Sequence, residues 1–236
     1  MSSHAVAPPD PPWRASDRLR LREFALSDVS DLARMHQDPR VRAQLVDDLA
    51  LDDLTTASGF VAGMQAFYRQ YEGRGIWCAE RAIPADADAV AEAQAAHAAG
   101  DIDDGLLAYV MAPTWRFCGW FSLVHVLDAP DQIEIGARLA PEAWGNALAL
   151  DGGDWLLARA FADTARTEVY GYCAPENRSA AHCLRVLGFD RVGNAPYNGH
   201  VAAQFRLSRA HWEAWRHLPR RDRLRQVLRG GQPAQA

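Results

Sequence analysis

Short segments in which apolar and polar residues alternate recur along the chain, and alternation of this kind predicts strands with one buried face. The first lies at residues 18–24, where Leu19, Leu21 and Phe24 mark the apolar positions. Further strands are expected at 75–81, 106–111, 118–126, 132–139, 168–173 and 200–207. The strands at 118–126 and 132–139 are expected to pair antiparallel through a turn at 128–131.

Helical periodicity fills most of the intervals between these strands. One helix is predicted after Ser27, one over 52–71, one over 145–166 and one over 179–187, where Gly188 gives a usual helix end. Strands interleaved with helices predict an α/β (α+β) fold, with helices packed against a central sheet.

Composition shifts divide the chain into three parts. Residues 1–14 are rich in Pro and Ala and are interpreted as a flexible leader, and residues 15–217 as a single domain. Within that domain, 82–105 is an acidic, Ala-rich insertion, expected to be helical or loose with a solvated face. Residues 218–236 form an Arg-rich tail. It is either a solvated helix or a surface that docks an acidic partner or a second subunit in a homodimer.

Charge and cysteine content exclude several classes of protein. The chain has 236 residues and a net charge of -5, which does not favour nucleic acid. The four cysteines lack the spacing of a metal site, so no metal and reduced thiols are expected. Neither a signal peptide nor a membrane-spanning run is apparent, which predicts a cytoplasmic protein with no membrane partner.

The turn at 141–147 leads directly into a predicted helix. The first N–H groups of a helix lack partners within it and, with the helix dipole, can bind an anion. Gly145, Asn146 and Ala147 are small enough for a phosphate to approach the backbone. The same pattern also fits ordinary helix capping.

The context of this turn resembles a known family. The segment carries, in order, Glu134-Ile135-Gly136, Leu139, Pro141, Trp144-Gly145, Ala147, Pro175, Asn177 and Leu187-Gly188-Phe189. This series is similar to the GNAT acetyltransferases, most closely to their Rim-type branch of ribosomal-protein N-acetyltransferases. The resemblance covers most of 18–215 and implies a GNAT fold, with a mixed, mostly antiparallel twisted sheet.

The resemblance also implies acetyl-CoA as co-substrate and an amine as acceptor, either a small molecule or a protein N-terminus. The strands at 134–139 and 168–173 would splay apart to admit the thioester. The backbone at Leu139 and Ala140 would pair with the pantetheine arm and offer a donor to the oxyanion. The remaining implied cofactor contacts are Trp144, Gly145, Asn146, Ala147, Leu148, Ala149 and Asn177.

Two side chains are candidates for catalysis. Glu134 is the first choice for a general base acting through water, and its alternative is a structural acid. Ser179 is a candidate donor to the leaving sulfur, and its alternative is the N-cap of the following helix. Several positions depart from the family pattern: Glu142, Asn146, Ala180 and Leu184. These departures favour a second hypothesis, a non-catalytic module that binds CoA or acyl-CoA.

Overall fold

A single sheet forms the centre of the computed structural model, which describes residues 12–47, 49–71, 73–127 and 129–230. The described residues give eight strands in the order β1-β2-β3-β4-β5-β6-β8-β7. Their bounds are β1 Trp13–Ser16, β2 Leu19–Arg22, β3 Gly75–Ile83, β4 Thr114–Val126, β5 Ala129–Leu139, β6 Glu168–Cys173, β7 Asp190–Tyr197 and β8 His200–Ser208.

All neighbouring strands pair antiparallel except β5 and β6, which run parallel. Between these two the paired register is confined to Glu134 and Tyr170. The sheet is therefore mixed and mostly antiparallel, as the sequence predicted.

Helices cover both faces of the sheet. Their bounds are α1 Val29–Gln37, α2 Pro39–Arg42, α3 Leu54–Gln70, α4 Ala87–Ala99, α5 Asp104–Met111, α6 Leu148–Ala160, α7 Arg178–Val186, α8 Arg209–Trp215 and α9 Arg220–Leu228. No helix among the described residues combines the length and the apolar character needed to cross a membrane.

Two apolar clusters hold these layers together. The larger joins α6 and α7 to one face of the sheet through side chains such as Phe121, Leu156 and Leu187. The smaller packs α1 and α3 against the other face, around Leu32 and Trp120. Because successive residues of a strand face opposite sides, β4 supplies side chains to both clusters, such as Phe121 to the larger and Trp120 to the smaller. We call these the α6 face and the α1 face.

Two adjacent glycines allow α6 to lie unusually close to its neighbours. A Cβ at Gly152 would stand 2.2 Å from the ring of Phe121, and one at Gly153 would stand 2.4 Å from Leu187. Glycine in a helix costs about 1 kcal/mol relative to Ala. Close packing on both sides explains why the sequence carries that cost here.

Several sequence predictions need correction. The first described strand, β1, starts at Trp13, within the predicted leader, rather than at residue 18, and residues 1–11 of that leader lie outside the described part of the chain. Residues 106–111, predicted as a strand, belong to α5, because the carboxylate of Asp103 accepts from the N–H of Leu106 and caps a helix. A short apolar run does not distinguish the two forms.

The acidic insertion is largely helical. It contains α4, which Asp86 caps and left-handed Gly100 ends, and the start of α5, which packs against α4. The strand at 190–197 was not predicted.

The Arg-rich tail folds onto the domain over residues 220–228. In α9, Arg220 pairs with Asp151 and Asp154, and buried Arg223 pairs with Asp154. Arg220 and Arg223 belong to the tail that was interpreted as a possible docking surface, and both are paired with carboxylates of α6.

Candidate functional site

A cleft opens where β5 and β6 diverge beyond their single paired position. It encloses about 490 Å³. The β5 segment 135–139 forms one wall, Tyr172 of β6 forms another, and the start of α7 closes one end. Strands that separate in this way leave backbone groups without a neighbouring strand, so an extended ligand can pair with them.

The predicted turn and helix start lie beside this cleft. Gly145 has a φ of 76° and Ala147 a φ of 58°, so the turn bends through left-handed conformations and directs its amides toward the start of α6. Within the part of the chain that the structure describes, no side chain caps the start of α6. The N–H groups of Leu148 and Ala149 therefore face outward at the positive end of the helix dipole. This arrangement can hold an anion.

The strand end at Leu139 and Ala140 is partly engaged. The N–H of Ala140 donates to the carbonyl of Cys118 on β4, so Ala140 is not a free donor, contrary to the expectation. Since residues of an antiparallel strand alternate in direction, the N–H of Leu139 points away from β4, toward the cleft. The indole N–H of Trp144 donates to the Leu139 carbonyl at 2.8 Å, which sets the Trp144 ring against the cleft.

The start of α7 carries two of the predicted residues. Asn177, not Ser179, is the N-cap, because its side-chain oxygen accepts from the N–H of Ala180. The capping alternative for Ser179 is therefore wrong, and Ser179 is exposed on the cleft wall. Leu184, which stands where the family often has Tyr, packs over Gly171 of β6.

Glu134 is buried on the α1 face, with 8% of its surface exposed. Its carboxylate accepts a hydrogen bond from the hydroxyl of Tyr197 at 2.8 Å. Burial raises the pKa of Glu134 to about 7, the Tyr197 hydrogen bond opposes that rise, and the charge of Asp47 adds to it. A carboxyl group with a pKa near 7 is suited to general base catalysis.

A second polar network adjoins Glu134. Arg138 shares its strand face and is buried, with its guanidinium stacked on Trp120. It donates to Asp47 at 2.7 Å and lies 3.3 Å from the ring nitrogen of His36. Burial lowers the pKa of His36 to about 4, so this ring is neutral at pH 7.

This network separates the cleft from a second cavity of about 420 Å³. Arg138 lines the cleft, whereas Asp47 and His36 line the second cavity, and Leu45 borders both. The second cavity is mainly polar, and Arg42, Asp52 and His200 complete its charged and polar lining, with Arg42 paired to Asp52.

Sequence reasoning missed part of this network. Arg138 was detectable, because it follows Glu134 at an even spacing on a predicted strand and so shares its face. Asp47 gave no such signal, since it lies in an irregular loop after α2. Tyr197 was also missed, because it is the last residue of the unpredicted strand β7, where its hydroxyl contacts Glu134.

Comparison with known proteins gives the class. A family model described as an acetyltransferase (GNAT) domain matches residues 18–190. The chain therefore belongs to the GNAT acetyltransferase family, as its motifs indicated.

Solved structures share the fold. Aminoglycoside acetyltransferase AAC(6')-Ib, in complex with coenzyme A and kanamycin, is 16% identical with a TM-score of 0.57, over 84% of this chain and 99% of that one. The Microcin C7 self-immunity acetyltransferase MccE, in complex with acetyl-CoA and AMP, is 12% identical with a TM-score of 0.58, over 82% of this chain and 94% of that one.

Proposed function

We propose that this protein is an N-acetyltransferase that moves the acetyl group of acetyl-CoA to a primary amine by direct attack in a ternary complex. The observation that carries this proposal is the cleft between the diverging strands β5 and β6, with the uncapped start of α6 beside it. Solved members of the fold are described with coenzyme A or acetyl-CoA, which supports the choice of co-substrate.

In this proposal, the amides of the turn from Gly145 to Ala149 hold the diphosphate of acetyl-CoA. The pantetheine arm lies along the β5 wall of the cleft and meets the side-chain amide of Asn177. Trp144 covers the arm from the side. The thioester then reaches the point where the two strands separate, close to the N–H of Leu139.

The reaction needs a neutral amine, a donor for the oxyanion and a proton for the leaving sulfur. Glu134 takes a proton from the acceptor ammonium group through water. The amine nitrogen bonds to the thioester carbon, and the N–H of Leu139 stabilises the oxyanion. The C–S bond then breaks and the nitrogen gives up its second proton, which passes through the hydroxyl of Ser179 to the thiolate. The products are an acetylated amine and free CoA.

The acceptor is proposed to enter through the second cavity. Its wall adjoins the cleft at Leu45, and Asp47 lies close enough to Glu134 to influence its ionisation. A polar cavity of this size suits a small amine with further hydrogen-bonding groups. The kanamycin-bound neighbour supports a small-molecule acceptor, whereas the motif resemblance to the Rim-type branch supports a protein N-terminus.

A CoA-binding module without activity is the second candidate, since several positions depart from the family pattern. Two of those departures have local explanations. Glu142 is exposed, and its charge acts on Arg40 of α2. Leu184 fills the space over Gly171. Neither one blocks the cleft.

The test is thiol release from acetyl-CoA with a panel of small amines and of peptides with free N-termini, read by mass spectrometry. We expect turnover with at least one amine and a strong loss of rate in Glu134→Gln. Tight CoA binding without turnover on any acceptor would favour the non-catalytic module. Absence of CoA binding would refute both.

A further inference from the structure

Asn146 lies in the turn before α6, at a position where the family resemblance leads us to expect a basic side chain. This turn therefore lacks that basic residue. The structure places another cation at the same turn. Arg18, in the turn between β1 and β2, donates through Nη1 to the Asn146 carbonyl at 3.0 Å. We propose that Arg18 contacts the diphosphate of the acyl-CoA substrate and substitutes for the missing basic residue.

Arg18 is held in place by a buried carboxylate. Its Nη2 donates to Asp151 at 2.9 Å, and Asp151 also accepts from the hydroxyl of Ser16 and from Arg220. Asp151 lies in the first turn of α6 and is buried. The guanidinium is therefore fixed against the same helix start whose amides face outward.

Within the ion-pair network around Asp151 and Asp154, guanidinium groups outnumber carboxylates, while the exposed side chain of Asp17 lies in the same turn as Arg18. Three guanidinium groups, those of Arg18, Arg220 and Arg223, meet two carboxylates, those of Asp151 and Asp154. Arg18 is the most exposed of the three, with 53% of its side chain accessible, against 32% and 8% for the other two. The unbalanced charge is thus presented to solvent at the turn.

Arg18 also has hydrogen-bonding capacity to spare. A guanidinium has five N–H donors, and the two bonds described above use only part of this set. Its planar fork suits phosphate oxygens. A diphosphate held by the amides of Leu148 and Ala149 would lie next to the remaining donors.

The inference rests on the proposed use of acetyl-CoA, and its test separates the two. Arg18→Gln keeps a donor for the Asn146 carbonyl but removes the charge. Arg225→Gln is the matched control, because it removes the same charge from an exposed arginine whose ion-pair partner among the described residues is Asp222, away from the α6 turn. Each full-length protein is titrated calorimetrically with CoA and with dephospho-CoA, which keeps the diphosphate but lacks the 3′-phosphate.

We expect Arg18→Gln to weaken both ligands by about tenfold, which is the effect of losing one charge-assisted hydrogen bond. The loss should shrink at high salt, since screening weakens the contact in the wild type. Arg225→Gln should bind as the wild type does.

Three results would overturn the proposal. Unchanged CoA affinity in Arg18→Gln would refute the proposed role of Arg18 and leave the proposed function of the protein intact. Weakening of CoA but not of dephospho-CoA would move the contact away from the diphosphate. If the wild-type protein bound neither CoA nor dephospho-CoA, both the proposed function and the proposed role of Arg18 would be refuted. A melting temperature for each variant shows whether a loss of affinity reflects unfolding, and Arg18→Lys, which keeps the charge, should recover part of the affinity.

Discussion

The burial of Glu134 leads to a prediction in which one substitution lowers activity and raises stability. In Glu134→Gln the base is lost, and a general base contributes about a hundredfold or more to a rate. The same change removes a buried carboxyl group that ionises as the pH rises through about 7. A buried charge without a cationic partner opposes folding, so its removal should stabilise the protein.

The magnitude follows from the pKa. The pKa of Glu134 is raised by burial from 4.5 to about 7, and each pH unit of difference corresponds to about 1.4 kcal/mol. A raised pKa means that the folded state binds the proton more tightly than the unfolded chain. The stabilising effect of the protonated group is present below pH 4.5 and is lost as the pH rises through about 7. The full loss amounts to about 3 kcal/mol.

The assay is urea unfolding of the wild type and Glu134→Gln between pH 4 and 9, alongside rate measurements. Groups that do not interact with Glu134 titrate alike in both proteins, and Tyr172 and Tyr197, whose pKa values the Glu134 charge raises, ionise above this pH range. The difference in unfolding free energy therefore reports mainly on Glu134. We expect that difference to grow in favour of the variant as the pH rises from below 4.5 and to level off above about 7. Parallel curves for the two proteins would refute the reasoning.

The rate of the wild type should also depend on this ionisation. We expect kcat/KM to rise with pH through about 7, and Glu134→Gln to lack this limb while keeping any limb that belongs to the acceptor amine. Substitutions at two neighbours of Glu134 should shift the midpoint pH of this rise in opposite directions. Tyr197→Phe removes a hydrogen bond to the carboxylate and should shift it to higher pH, whereas Asp47→Asn removes a negative charge and should shift it to lower pH.

Two further predictions concern stability. Gly152→Ala forces a methyl group against Phe121 and should lower the unfolding free energy by about 1–3 kcal/mol, whereas Gly63→Ala on α3, with nothing within 4 Å, should raise it by up to about 1 kcal/mol. Equal effects in urea unfolding would contradict the packing argument. Asp154→Ala removes the carboxylate paired with buried Arg223 and should release α9, seen as faster amide hydrogen exchange over 220–228. Unchanged exchange would show that other contacts hold α9.

Most of the sheet could be predicted from local pattern, because alternation reports directly on one buried face. The exceptions have physical reasons. The segment 106–111 has the apolar content of a strand, yet the capping carboxylate of Asp103 starts a helix there. Strand β7 was missed because its side chains are mostly exposed, so its place depends on pairing with β8 rather than on burial.

The candidate site was predictable where it depends on backbone and sequence order. The turn at Gly145 and the start of α7 lie within one continuous segment, so a single stretch of sequence describes them, although the cap of α7 is Asn177 and not Ser179. The surroundings of Glu134 could not be predicted, since Asp47 and Tyr197 come from distant parts of the chain. Arg18 was likewise invisible as a neighbour of Asn146, because that contact exists only once β1 and α6 are packed together.

The order of strands in the sheet has a consequence for biogenesis. Among the strands that the structure describes, β7 pairs with β8, and β8 pairs with β6, so β7 takes its place in the sheet, and Tyr197 its place beside Glu134, once the chain has been made as far as Ser208. A nascent chain that has been made as far as the turn before α6 already contains Glu134. It still lacks Tyr197, whose hydroxyl donates to the Glu134 carboxylate. Proteolytic removal of the β7–β8 hairpin would likewise remove the hydrogen bond from Tyr197 to Glu134 in the complete, folded protein.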